Sequence, residues 1–113
     1  RGIIAAASTD APVCATSAML GIQTMVTRRN AAGQALWPEE CVSLEEAVRA
    51  YTYNGAYATF EERVKGTIEP GKLADLTVLE TDLRAVEPEA LGSVRVDFTV
   101  VEGEIVYQRP GAR

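Results

Sequence analysis

The residue best suited to chemistry in this chain is Asp10. It closes the stretch IIAAASTDAP at residues 3–12, where five apolar residues run into Ser8-Thr9-Asp10 and the chain turns at Ala11-Pro12. A carboxylate at the end of a strand can bind a metal, or take a proton from a water that a metal has activated. The same position also fits a helix N-cap or an Asx-turn ahead of Pro12. The chain contains no histidine, and imidazole is the commonest metal ligand and general base. Neither a zinc site of the usual type nor a Ser-His-Asp triad can therefore be assembled from this chain alone. Cys14 and Cys41 form no CxxC pair and read as reduced, buried thiols in a cytoplasmic protein. Cys14 has no partner base to activate it.

Other polar and aromatic residues read more readily as structure. Arg28-Arg29 can meet an anionic substrate, but they sit where a helix dipole favours cations. Trp37 can line a pocket or anchor a loop. Asn54 fits a cap between two helices better than a ligand. The net charge of −5 and pI near 4.7 argue against a nucleic-acid partner and against a polybasic membrane surface, since both need clustered Lys and Arg. No apolar run approaches the ~20 residues of a membrane span, and residues 3–7 are too short for a signal peptide.

The elements that must position Asp10 are legible in outline. Residues 2–8 form a continuous apolar run that fits a strand buried on both faces. Residues 17–28 read as a helix, with Met19, Ile22, Met25 and Val26 on one face. Residues 43–53 form the clearest helix: Ser43 and Glu46 make a capping box, and Val42 can staple against Ala47. Leu44, Ala47, Val48 and Tyr51 build its apolar face, and Asn54-Gly55 are expected to end it. Glu69-Pro70-Gly71-Lys72 has the form of a type II turn. Residues 75–80 are β-rich, residues 94–101 alternate, and Glu102-Gly103 suits a tight hairpin leading into Ile105-Val106-Tyr107.

The stretches STDAPV, AVRAYTYNGAYATFEE and GTIEPGKLADLTVLETD together resemble the C-terminal end of metal-dependent amidohydrolases. The resemblance is to the branch that contains the N-substituted formamide deformylases. Val26-Thr27-Arg28, residues 43–47 and above all residues 66–75 carry it, in the family's order. It implies an α/β fold: the last βα unit of a metal-dependent hydrolase TIM barrel, plus C-terminal strands of a flanking small β-sandwich. Residues 1–65 would hold the last barrel strand and the helices, and residues 66–113 the β-rich part of the composite sandwich. Asp10 would match the aspartate of the eighth strand, serving as general base and metal ligand, with Thr9 where serine is usual. Gly66, Pro70, Gly71 and Asp75 would be structural. The family's His-x-His pair, its further histidines and its carboxylated lysine have no counterpart here, so the chain would be the tail of an enzyme. The implied cofactor is a divalent metal, zinc, in the full-length enzyme, with none expected in this chain alone. The implied partners are a small-molecule amide substrate and the missing N-terminal part of the barrel, or a second copy of the chain. A reading of a different class is a free-standing, non-catalytic α+β module for oligomerisation or binding. A His-x-His on a strand encoded upstream would favour the enzyme.

Overall fold

A computed structural model describes residues 2–112. Three α-helices precede a three-stranded sheet: α1 (Ala18–Thr27), α2 (Leu44–Tyr51), α3 (Tyr53–Ala58), β1 (Leu76–Leu79), β2 (Val96–Val101) and β3 (Glu104–Gln108). Short 3-10 turns fall at Pro38–Glu40, Leu83–Ala85 and Pro88–Ser93.

The helices start where the sequence supplies caps. The Ser17 hydroxyl accepts from the Leu20 N–H at 3.2 Å and opens α1. At α2 the expected capping box forms: the Glu46 N–H donates to the Ser43 hydroxyl, and the Ser43 N–H donates back to the Glu46 carboxylate at 2.9 Å. Each reciprocal bond satisfies a donor that the first turn leaves orphaned. The second helix does not run to Asn54-Gly55. It breaks at Thr52, whose φ/ψ of −121°/−92° is not helical, and Asn54-Gly55 lie inside α3. Gly66 passes close against α3. It holds φ +92°, and a Cβ there would come within 2.8 Å of the Ala56 Cβ and 3.1 Å of the Tyr53 Cα.

The core is the seam where α1 and α2 meet the 3-10 turn before β2. Met19 and Ile22 from α1, Ala47 from α2, and Leu91 and Val94 form one buried cluster, with Leu91 only 2% exposed. Val42, Leu44, Val48 and Tyr51 pack around it. A polar lock reinforces the seam: the Gly92 N–H donates to Gln23 Oε1 at 2.7 Å. A side chain on Gly92 would meet that oxygen at 2.8 Å. The core thus draws on both stretches, residues 1–65 and residues 66–113.

The sheet has the order β1-β2-β3 and is antiparallel throughout. Residues 69–72 make the expected turn: the Lys72 N–H donates to the Glu69 carbonyl at 3.2 Å, and Gly71 takes φ +91°. At the β2–β3 hairpin Glu102 and Gly103 both have positive φ, the form whose twist matches flanking strands. Ion pairs tie the strands together. Arg95 pairs with Glu80 at 2.7 Å, and Arg109 pairs with Asp97 at 2.6 Å and approaches Glu80 at 3.6 Å.

Two outcomes are expected from this architecture. Leu91→Ala leaves a cavity at the centre of the seam and should destabilise the chain by about 2–5 kcal/mol in chemical denaturation; a loss within experimental error would show that the seam is not the core. The second concerns acid. Hydrogen bonds from the Arg84 side chain and backbone push the Asp82 carboxyl down to about 2. Glu80 is lowered by the Arg95 side chain and backbone, Glu61 by Lys65 and Thr59, and Glu46 by the Ser43 backbone and hydroxyl. A depressed carboxyl stabilises the fold above its unfolded pKa, and that contribution is lost as pH falls through the folded value. Stability should therefore decline between about pH 4.5 and pH 2, and less steeply in high salt because Glu46 and Asp82 are exposed and Glu61 and Glu80 only half-buried. Denaturation midpoints that stay level across that window would contradict these pairings.

Candidate functional site

Among the described residues, residues 2–9 join no β-ladder. The expectation of a strand buried on both faces is corrected here: Ile3 is 85% exposed. The physical reason is the lack of a neighbouring strand to pair with. The segment is held from one side by the α2–α3 junction instead. The Ala7 N–H donates to the Ala50 carbonyl at 3.0 Å, Asn54 Nδ2 donates to the Ala5 carbonyl at 2.8 Å, and the Tyr51 hydroxyl lies 3.4 Å from the Ser8 carbonyl.

Asp10 follows in the left-handed region with φ 53°, a conformation that Asp tolerates better than most residues. Its turn is built by the backbone and by a neighbour. The Asp10 N–H donates to the Ser8 hydroxyl at 3.2 Å, and the Asp10 carbonyl accepts from the Val13 N–H at 2.9 Å. Neither the Asx-turn nor the N-cap describes Asp10, since Ser17 caps α1. Among the described residues no donor is hydrogen-bonded to the Asp10 carboxylate, which is exposed to solvent. It is a turn residue whose side chain the turn does not use.

Neither of two grooves among the described residues is built around this carboxylate. A groove of about 510 Å³ runs along residues 5–9, with Cys14, Leu20, Met25 and Tyr51 on its walls, and Asp10 does not line it. A second groove of about 740 Å³ lies between α2 and β1, far along the chain from Asp10. Among the described residues no three His, Cys, Asp or Glu side chains come together as a possible metal group. The residues present therefore fit a metal only as contributors of one carboxylate to a site completed by other ligands.

The remaining candidates fall elsewhere. Cys14 and Cys41 are both free and exposed, which corrects the expected burial. Trp37 takes φ 50° at the start of the Pro38–Glu40 turn and is 64% exposed, so it anchors no loop in this structure. Arg28 and Arg29 donate to the Leu36 and Gly33 carbonyls of the following loop rather than to the end of α1. Asn54 caps no helix; it holds residue 5. Two roles went unread in the sequence because their partners are remote. Asp75 accepts from the Glu102 N–H at 2.9 Å and pins the hairpin turn to the start of β1. The Lys72 side chain is only 12% exposed, and its ammonium joins the Glu62 carbonyl, the Thr67 hydroxyl and the Glu69 carboxylate.

Comparison with known proteins defines the class. Residues 1–107 match the profile of the amidohydrolase family. The protein YtcJ of Bacillus subtilis, named for that family, is 35% identical over 112 residues, covering 96% of this chain and 21% of its own length. The N-substituted formamide deformylase of Arthrobacter pascens is 37% identical over 112 residues, covering 98% of this chain and 20% of its own length. The crystal structure of an amidohydrolase from Thermotoga maritima superposes with a TM-score of 0.70 at 24% identity, over 96% of this chain and 24% of that one. The chain belongs to the amidohydrolase family. It spans about one fifth of the length of the curated relatives it matches. No helix among the described residues is long and apolar enough to cross a membrane.

Structural and catalytic zinc sites use three or four convergent protein ligands, and Asp10 offers one carboxylate. The chain dialysed after zinc loading should thus retain well under one equivalent by metal analysis. One tightly held zinc per monomer would mean that the described side chains assemble a site that their present placement does not provide.

Proposed function

We propose that this chain forms part of the barrel of an enzyme that hydrolyses a non-peptide C–N bond, in an amide or cyclic amide of a small molecule. Family membership supports the reaction class, and the name of one relative, an N-substituted formamide deformylase, supports the substrate class. Residues 2–9 are the last barrel strand in this reading, and β1 to β3 belong to a flanking small sandwich. The apolar residues left open here, Ile3 and Phe60 among them at 85% and 91% exposed, are covered by the rest of the barrel or by a second copy. Two free thiols suit a reducing, cytoplasmic setting.

Asp10 is the catalytic base. The observation that carries this is its geometry: the carboxylate stands exposed at the end of a tethered segment, while Ser8 and the backbone make the turn. A divalent metal, zinc in this reading and held mainly by groups outside the chain, supplies Lewis acidity to the site. The Asp10 carboxylate accepts one proton as water adds to the substrate carbonyl carbon. It returns that proton to the nitrogen as the C–N bond breaks, so an acid and an amine leave and the carboxylate is regenerated.

Asp10→Asn isolates this role. Asparagine tolerates the left-handed backbone as well as aspartate does and keeps the shape, but cannot hold the proton. In the complete metal-loaded enzyme, formate release from an N-substituted formamide should fall by ~10²- to 10⁴-fold with the fold intact. Turnover near that of the parent would leave Asp10 a turn residue and nothing more.

A further inference from the structure

The geometry points to Asn54 as a positioning residue for Asp10, an inference that rests on the reading of Asp10 as the base. Residues 5 and 7 are both met by the α2–α3 junction. The Ala50 carbonyl lies in the last turn of α2, where carbonyls lack intrahelical partners, and it takes the Ala7 N–H at 3.0 Å. Asn54 Nδ2 takes the Ala5 carbonyl at 2.8 Å. Ala50 and Asn54 lie on either side of the break at Thr52 and offer this segment one acceptor and one donor.

Two further observations bear on the role of Asn54. Its Oδ1 is buried with no hydrogen-bond partner among the described residues, a state that disfavours the fold. An apolar side chain would fill the space without that cost, so the donor atom is the feature the site uses. The orientation of the amide is fixed by chemistry, since a flipped oxygen would face the Ala5 carbonyl. The clamp then continues towards Asp10. The Tyr51 hydroxyl reaches the Ser8 carbonyl, and the Ser8 hydroxyl holds the Asp10 N–H. Gly21 makes room for this, because a Cβ there would run into the Tyr51 hydroxyl. The segment is thus gripped at residues 5, 7 and 8, and the next free side chain on a left-handed residue is the carboxylate. A base displaced by about 1 Å can lose about 10²-fold in rate.

The test is a double-mutant cycle in the complete metal-loaded enzyme, read by formate release from an N-substituted formamide. Asn54→Ala should lower kcat by about 10- to 100-fold while KM stays within about twofold. Made on top of Asp10→Asn, the same change should cost nothing more, because it acts through Asp10. Hydrogen exchange on the full chain supplies a readout free of activity: Asn54→Ala should speed exchange at the Ala7 amide about tenfold or more and leave the Leu91 amide unchanged. Tyr51→Phe, which keeps the ring over Gly21, should show the same pattern more weakly and serves if Asn54→Ala does not fold. Parental kcat in Asn54→Ala, an undiminished loss in the Asp10→Asn background, or an unchanged Ala7 amide would each overturn the assignment. Full turnover in Asp10→Asn alone would instead remove the base reading on which it rests.

Discussion

Burial of Leu91 between α1 and α2 is the constraint from which the rest of the structure follows. Leu91 sits on a 3-10 turn late in the chain, yet its neighbours Met19, Ile22 and Ala47 come from the first half. Burying a leucine fully contributes about 1.5–3 kcal/mol, and here it also fixes two helices against each other. The Gln23–Gly92 hydrogen bond sets their register on the turn. With α1 and α2 fixed, the α2–α3 junction has a defined place. That junction in turn holds residues 5, 7 and 8, the segment that leads into the turn at Asp10.

The sheet is organised by a different force. Its three strands carry few buried side chains, and all of β3 is exposed. Cross-strand pairs among Glu80, Arg95, Asp97 and Arg109 tie its rows together, and Asp75 and Lys72 fasten the connecting turns. Only the Arg95 side chain of this group is largely in solvent, and an ion pair near the surface contributes little by itself. The sheet therefore gains most from whatever packs on its open faces. An edge strand with Ile105, Val106 and Tyr107 in solvent is a surface prepared for cover.

What could be read from the sequence was what depends on near neighbours. The Ser43–Glu46 box, the Met19 and Ile22 face, the Pro70-Gly71 turn and the Glu102-Gly103 hairpin each follow from residues within a few positions of one another. The resemblance in residues 66–82 was legible for the same reason, because turn chemistry keeps a compact signature. Contacts between distant residues were not legible. Nothing near Asn54 announces a bond to residue 5, nor does Gly92 announce Gln23. The apolar run at residues 2–8 was read as a buried strand because its composition suits one. The structure leaves it unpaired because burial needs neighbours, and composition does not supply them. Asp10 was a candidate by type and position alone; that no donor among the described residues binds its carboxylate needed coordinates.

The central claim is that this freed carboxylate faces the reacting centre of an amide hydrolase. A crystal structure of the complete enzyme with a tetrahedral analogue of the hydrated amide would test it most directly. The account predicts an Asp10 carboxylate oxygen within about 2.6–3.2 Å of the analogue's added oxygen, the reach that proton transfer requires. A carboxylate turned to bulk solvent, with another group of the enzyme at that oxygen, would contradict it.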